Sequence, residues 1–298
     1  MKIHILGVPS NLQPKSQPFK YPKHNADYGV EQDFYQFLVN HQHLTVGNPH
    51  EADWHYLPVY WTRWHLLHDY GKSGKAELQE LVDQAIVDGT RTFTICQYDD
   101  GPLVDVKGVV QFLASRKARE GIDIPLLSTP HKQPFFIPRK KYQASFIGRL
   151  STHAIRNDMA CVLMNRPDTF ILDGVRTARY FVRRTLSSWI ALAPRGYGGS
   201  SFRFFEAMQL GVVPLLVGDL DTRPFKKFID WDACSLYVSN TADIPQALEK
   251  HSREKLEVMG GVAQDVYRSS LAFGQWCHLV LKELADRMPQ EGGCAEVL

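Results

Sequence analysis

The stretch PRGYGGSSFRFFEAMQLGVVPLLVGD, from Pro194 to Asp219, decides how this chain folds. Apolar WIALAP leads into it as a strand. Gly196, Gly198 and Gly199, with Ser200 and Ser201, then make a loop. SSFRFFEAMQLG continues with helical spacing, and VVPLLVGD is a second strand. Strand, glycine-rich turn, helix and strand in that order form a βαβ unit of a parallel sheet.

The same alternation extends to both sides. ASFIGRL, TFILDG and CSLYVS read as strands, and IRNDMACVLMN and ARYFVRRTLSS as helices. Helical sequence then runs from Asp243 to about Arg287. Upstream, KIHILG, WHYLPVY (Trp54 to Tyr60), TRTFTICQ and IPLLSTP read as strands. VEQDFYQFLVNH places Phe34, Phe37 and Leu38 on one helical face, AELQELVDQAIVDG is a helix closed by Gly89, and DVKGVVQFLASRKAREG also has helical spacing. The proline-broken, basic KQPFFIPRKKYQ marks a boundary between two α/β halves. The expected division is 1–138, 139–270 and a helical tail, 271–298, that packs back on the first half.

The 298 residues are long enough for either one large domain or two modest ones. A content of 44% hydrophobic and 22% charged residues is that of a globular chain, and a net charge of +2 creates no global field demanding nucleic acid. Local basic clusters, Arg139-Lys140-Lys141 and Arg183-Arg184, are either solvated faces or sites for a phosphate-bearing ligand. Cys96, Cys161, Cys234, Cys277 and Cys294 are scattered and never in CxxC spacing, against a disulfide framework or structural zinc. MKIHILGVPS lacks the features of a signal peptide, and no stretch approaches the ~20 apolar residues of a membrane span. These features lead us to expect a cytoplasmic protein.

In an open α/β sheet, ligands bind beyond the carboxyl ends of the strands. PRGYGGSS sits at such an end. Its glycines allow close backbone approach, and the first-turn N–H groups with the helix dipole attract an anion. Arg195 and Arg203 bracket the loop, each able to fork onto phosphate oxygens. The plain alternative is a strand–turn–helix with a serine cap. Glu206 lies between Phe202 and Leu210 on the helical wheel, at ~100° per residue. A carboxylate there needs partners, either the two hydroxyls of a ribose or Arg203 three residues back. Gly196, Gly198 and Ser201, with Asp219 after the next strand, also suggest a degraded dinucleotide fingerprint. A missing third glycine and the late position of the motif argue against that reading.

On these residues the chain resembles the exostosin family of glycosyltransferases, family 47. The shared pattern is Pro-Arg-Gly, a Gly/Ser loop, Arg-x-x-Glu-Ala, Gln-Leu-Gly and a proline-containing strand. RPFKKFIDWDACSLYVS, SFIGRLSTHAIRNDM, EADWHYLPVYW and TFTICQYDDGP are similar to further family segments, so the resemblance covers about residues 50 to 270. It implies a GT-B fold, two facing Rossmann-like domains with a cleft between them, and inverting transfer from a UDP-sugar to a glycan or glycoconjugate hydroxyl. It implies diphosphate contacts from Arg149, Ser200, Ser201 and Arg203 and a ribose contact from Glu206. Arg156, Arg195 and Gly198 complete the donor set.

An inverting transfer needs a base for the acceptor hydroxyl and positive groups for the leaving diphosphate. Asp99 aligns with the family's turn aspartate and is the first candidate base, with Asp100 next and His68 and Asp69 behind. Tyr98 stands where the family often has His, and Asp100 where it has an aromatic residue. The bland reading of Asp99-Asp100 is a turn before Gly101. Asp219-Leu220-Asp221 and Asp230-Trp231-Asp232 both match the Asp-x-Asp pattern of metal-dependent transferases, and HQH (His41, His43) and HLLH (His65, His68) lack supporting ligands. No obligatory metal is expected. Tyr56, Tyr60, Trp61 and Trp64 either stack on an acceptor sugar or fill the core. A non-catalytic nucleotide-sugar-binding partner and a sugar-nucleotide epimerase on the same fold are the alternatives.

Overall fold

The computed structural model describes residues 1–15, 29–117 and 119–288. Cys294, the end of the expected tail and most of the loop after Pro9 lie outside these residues.

In the first half, β1 (Ile3–Ile5), β2 (Trp54–Tyr56), β3 (Thr92–Cys96), β4 (Val110–Leu113) and β5 (Ile122–Asp123) form a five-stranded sheet in sequence order. All of its pairs are parallel. Helix α1 (Gly29–Asn40) connects β1 to β2, and α2 (Trp61–Leu67) and α3 (Lys75–Ala85) connect β2 to β3. The face of α1 carrying Phe34, Phe37 and Leu38 is buried as its periodicity requires.

Several local expectations need correction. DVKGVVQFLASRKAREG is not a helix but carries β4, whose Val110–Leu113 pair with Phe93–Cys96. Valine, phenylalanine and leucine gain more from lying against β3, with Phe112 fully buried, than from an isolated helical turn. IPLLSTP is not a strand. The strand covers only Ile122 and Asp123 just before it, Ile124 N–H makes the last bond to β4 at the Leu113 carbonyl (3.2 Å), and Ile124, Leu126 and Leu127 are buried. The strand from Trp54 stops at Tyr56, ahead of Pro58. Helix α3 ends at Ala85, and Gly89 instead opens a 3₁₀ turn over Gly89–Arg91 capped by the Asp88 side chain. Tyr56, Tyr60, Trp61 and Trp64 are core, with exposures of 1%, 1%, 0% and 7%.

The second half contains β6 (Tyr142–Gly148), β7 (Thr169–Asp173), β8 (Ser188–Pro194), β9 (Val213–Val217) and β10 (Leu236–Val238). Their sheet order is β10-β9-β8-β6-β7, again all parallel. Helices α4 (Ala154–Leu163), α5 (Ala178–Leu186) and α6 (Phe202–Gln209) make the crossovers. Helices α7 (Ile244–Glu249), α8 (Arg253–Val266) and α9 (Gln275–Ala285) follow, with a π turn over Tyr267–Leu271 between the last two. The two parallel sheets make the GT-B arrangement. One apolar cluster passes from Phe34, Phe93 and Phe112 to Phe204, Phe205, Trp231 and Trp276, joining the halves. Among the described residues, no helix is long and apolar enough to cross a membrane.

Candidate active site

Residues that follow the carboxyl ends of β3 and β4 meet those that follow β8 and β9. The 195–201 loop leaves β8 and crosses to the first sheet. Gly199 donates its N–H to the carbonyls of Ser115 (3.3 Å) and Arg116 (3.2 Å), and its own carbonyl accepts from Thr222 Oγ1 at 3.1 Å. A Cβ at Gly198 would overlap the Ser115 carbonyl and hydroxyl oxygens and lie 2.5 Å from Asp99 Oδ1. Glycine is required at 198 for space. The donor loop therefore presses directly on the turn that carries Asp99.

Asp99 is half-buried, and burial pushes its carboxyl up to about 6. The Ser115 hydrogen bond, Lys117 and Arg195 pull it down, and Asp100 pushes it up. Asp100 is exposed and paired with Lys117 Nζ at 2.6 Å. The turn is braced from below. Buried Glu31 accepts from Gln97 N–H (2.7 Å) and from Thr62 Oγ1 (2.8 Å), tying α1 to the end of β3 and the start of α2. His65 packs on the Tyr98 ring at 4.7 Å, and burial lowers its imidazole to about 4, so it is neutral. Tyr98 O–H donates to the Tyr70 carbonyl at 3.2 Å.

On the opposite side, Ser200 and Ser201 are buried at the start of α6. Ser201 occupies the cap position without capping, and its buried Oγ has no hydrogen-bond partner among the described residues. An orphaned hydroxyl at a helix start is a group that an incoming acceptor would satisfy. Arg156 on α4 donates to the carbonyls of Arg195 (2.9 Å), Arg149 (3.0 Å) and Pro194 (3.3 Å). Burial and the nearby Arg203 guanidinium lower Arg156 to about 10. Two crowded guanidiniums favour an anion between them. Arg149 is exposed at the end of β6.

Arg203 donates to the Ile147 carbonyl at 2.8 Å, lies over the Phe181 ring at 4.5 Å and pairs with Glu206. Glu206 also accepts from His131 Nε2 at 3.0 Å. Burial raises the Glu206 carboxyl, but Arg203 and His131 outweigh it and hold it below its ordinary value. The internal ion pair left open by the sequence is thus formed. Arg195 turns inward, bonding the Gly198 carbonyl at 3.1 Å and pairing with Asp219. It shapes the loop.

The remaining candidates lie elsewhere or have other partners. His68 Nδ1 bonds the Trp64 carbonyl at 2.7 Å, and Asp69 pairs with Lys72. Asp221 is bound by Arg223 and Lys226, and Asp230 caps the turn over Trp231–Ala233. His41, His43, His65 and His68 form no metal-binding group among the described residues. The sequence reading missed His131, Ser115 and Glu31. Each joins the site through tertiary contact alone.

The profile of the Exostosin GT47 domain matches residues 1–251. The chain belongs to the exostosin GT47 family. Membership thus extends to the first strand, beyond the stretch from residue 50 whose motifs resemble the family. An Exostosin-1 homolog of Caenorhabditis elegans is 33% identical over 87 residues, 28% of this chain and 23% of that protein. The match thus spans about a quarter of that relative's length. A probable beta-1,4-xylosyltransferase of Arabidopsis thaliana is 24% identical over 290 residues, covering 82% of this chain and 69% of that protein. Among solved structures, S. aureus TarM is similar at a TM-score of 0.37 and 9% identity, covering 70% of this chain and 57% of that one. GT47 is a glycosyltransferase family, and the Gly/Ser loop with Arg203 and Glu206 belongs to the matched region.

Proposed function

We propose that this exostosin-family chain is an inverting glycosyltransferase that moves a sugar from a UDP-sugar to a glycan or glycoconjugate hydroxyl. The observation that carries the reading is the contact between Asp99 and the 195–201 loop. A proton acceptor titrating near neutrality abuts an anion site built from a helix start, an orphaned hydroxyl and paired guanidiniums. Asp99 takes the proton of the acceptor hydroxyl as its oxygen forms a bond to the anomeric carbon. The bond from that carbon to the diphosphate oxygen breaks on the opposite face, inverting the centre. Arg149, Arg156 and Arg203, with the positive start of α6, hold the departing charge, and Ser201 Oγ donates to a phosphate oxygen. Glu206 exchanges part of its internal pairing for ribose hydroxyls.

Titration of UDP into the intact protein tests the donor site. Arg203→Ala and Glu206→Ala are each expected to weaken binding by about 1.5–3 kcal/mol, roughly ten- to a hundredfold. Unchanged affinity in both folded variants would overturn the nucleotide assignment. A panel of UDP-sugars screened for slow hydrolysis identifies the donor, and failure to turn over any of them favours a non-catalytic binder. We further propose that the cations named above take the place of a metal. A chelator should leave turnover unchanged, and complete, metal-reversible loss would contradict this.

A further inference from the structure

The linker between the two sheets exposes Phe135, Phe136 and Ile137 at 94%, 82% and 63%. The two rings meet edge to face at 4.9 Å and so cover little of each other. Leaving such side chains in water forgoes the free energy of burying them. Pro134 and Pro138 bracket the triplet and restrict its backbone. The base of the loop is fastened. His131 N–H donates to Gln209 Oε1 at 3.1 Å, Lys141 N–H to the Ser187 carbonyl at 2.7 Å, and Lys140 Nζ to the Ser188 carbonyl at 2.7 Å. An anchored base thus presents an apolar tip that little else covers.

The charge around the tip has one sign. No acidic residue occurs between Asp123 and Asp158. Lys132, Arg139 and Lys141 are exposed on the loop itself. Helix α5, which the loop touches at Phe181 and at Ser187, adds exposed Arg179 and Arg183. Glu257 interacts with Lys140, and Glu206, which accepts from His131 at the base of the loop, is buried and paired with Arg203.

We propose that this loop docks the protein on an anionic lipid bilayer, with Phe135, Phe136 and Ile137 entering the interface and the flanking cations meeting headgroup phosphates. Interfacial binding of useful strength needs an apolar insertion and a basic patch together, and both are present. A protein partner would require a flat area of ~800 Å² per side, which a three-residue tip does not supply. The proposal makes no use of the donor site and stands apart from the sugar-transfer reading.

Flotation of the full chain with vesicles tests it. Phosphatidylcholine vesicles containing phosphatidylglycerol are expected to carry at least about tenfold more protein than phosphatidylcholine alone. The double variant Phe135→Ser with Phe136→Ser should lose at least about tenfold of that binding with its melting temperature unchanged. Arg139→Gln with Lys141→Gln should lose a similar amount, and what remains should respond less to salt. Phe136→Trp, a near-conservative change, adds an emission expected to shift to the blue on anionic vesicles. Equal partition into neutral and anionic vesicles overturns the proposal, as does full binding by the serine variant or an unshifted tryptophan emission. A concentration-dependent dimer that the serine variant abolishes, without vesicle binding, overturns it in favour of contact between copies.

Discussion

Asp99 is raised from 3.8 to about 6 because burial outweighs the Ser115 hydrogen bond and the Lys117 and Arg195 charges. A folded state with the higher pKa holds the proton more tightly than the unfolded chain. The resulting stability is full below about 4 and is lost as pH rises through about 6. A base acts only when ionised, so the proposed activity has the opposite trend, rising as pH passes about 6. Asp99→Asn should therefore lower turnover by about 10²–10⁴-fold, with UDP affinity unchanged. At pH 8 the same variant should be more stable by about 1 kcal/mol, a melting-temperature rise of about 2–4 °C. Steady-state rates and thermal melts of the two proteins at pH 5 and pH 8 check both trends. Unaltered turnover would remove Asp99 from the reaction.

At the scale of elements, the strand–loop–helix from β8 to α6 was legible because its signals agree: an apolar run, glycines at a turn, then helical periodicity. The segment around β4 was not. Val106, Val109, Val110 and Leu113 imitate helical spacing, and only the neighbouring β3 makes them a strand and turn. The site was read on one side for the same reason. Arg203, Glu206 and the serines lie on one continuous segment, whereas His131 and Ser115 reach it from distant segments. The contact made by Ser115 also explains the glycine at 198. Gly198→Ala would drive a methyl into Ser115 and Asp99, costing about 1–3 kcal/mol as the loop is displaced. Turnover should fall at least about tenfold with the displaced donor loop. Gly261→Ala, on the exposed side of α8, meets nothing within 4 Å and should be neutral or stabilising by up to ~1 kcal/mol. Parallel denaturant melts and rate measurements of the pair separate crowding at the seam from a general glycine effect.

At the scale of the whole molecule, the halves share a core as well as a catalytic seam. Asp33 on α1 accepts from Gly274 N–H and Trp276 Nε1, both at 2.7 Å. Burial raises its carboxyl despite those bonds. Trp276 on α9 is completely buried and packs on Phe34 at 5.8 Å, so the chain's last described helix closes over its first. The apolar cluster containing these residues also reaches Phe93 in the first sheet and Leu216 in the second. A core shared in this way couples the sheets, and neither can lose its packing without exposing the other. Calorimetry should therefore show one cooperative transition, with van't Hoff and calorimetric enthalpies in agreement. Trp276→Ala removes the largest side chain of the latch and should cost about 3–5 kcal/mol. The melting temperature should fall by on the order of 10 °C, with the single transition retained. Two resolved transitions in the unsubstituted protein would show that the shared cluster does not bind the sheets into one unit.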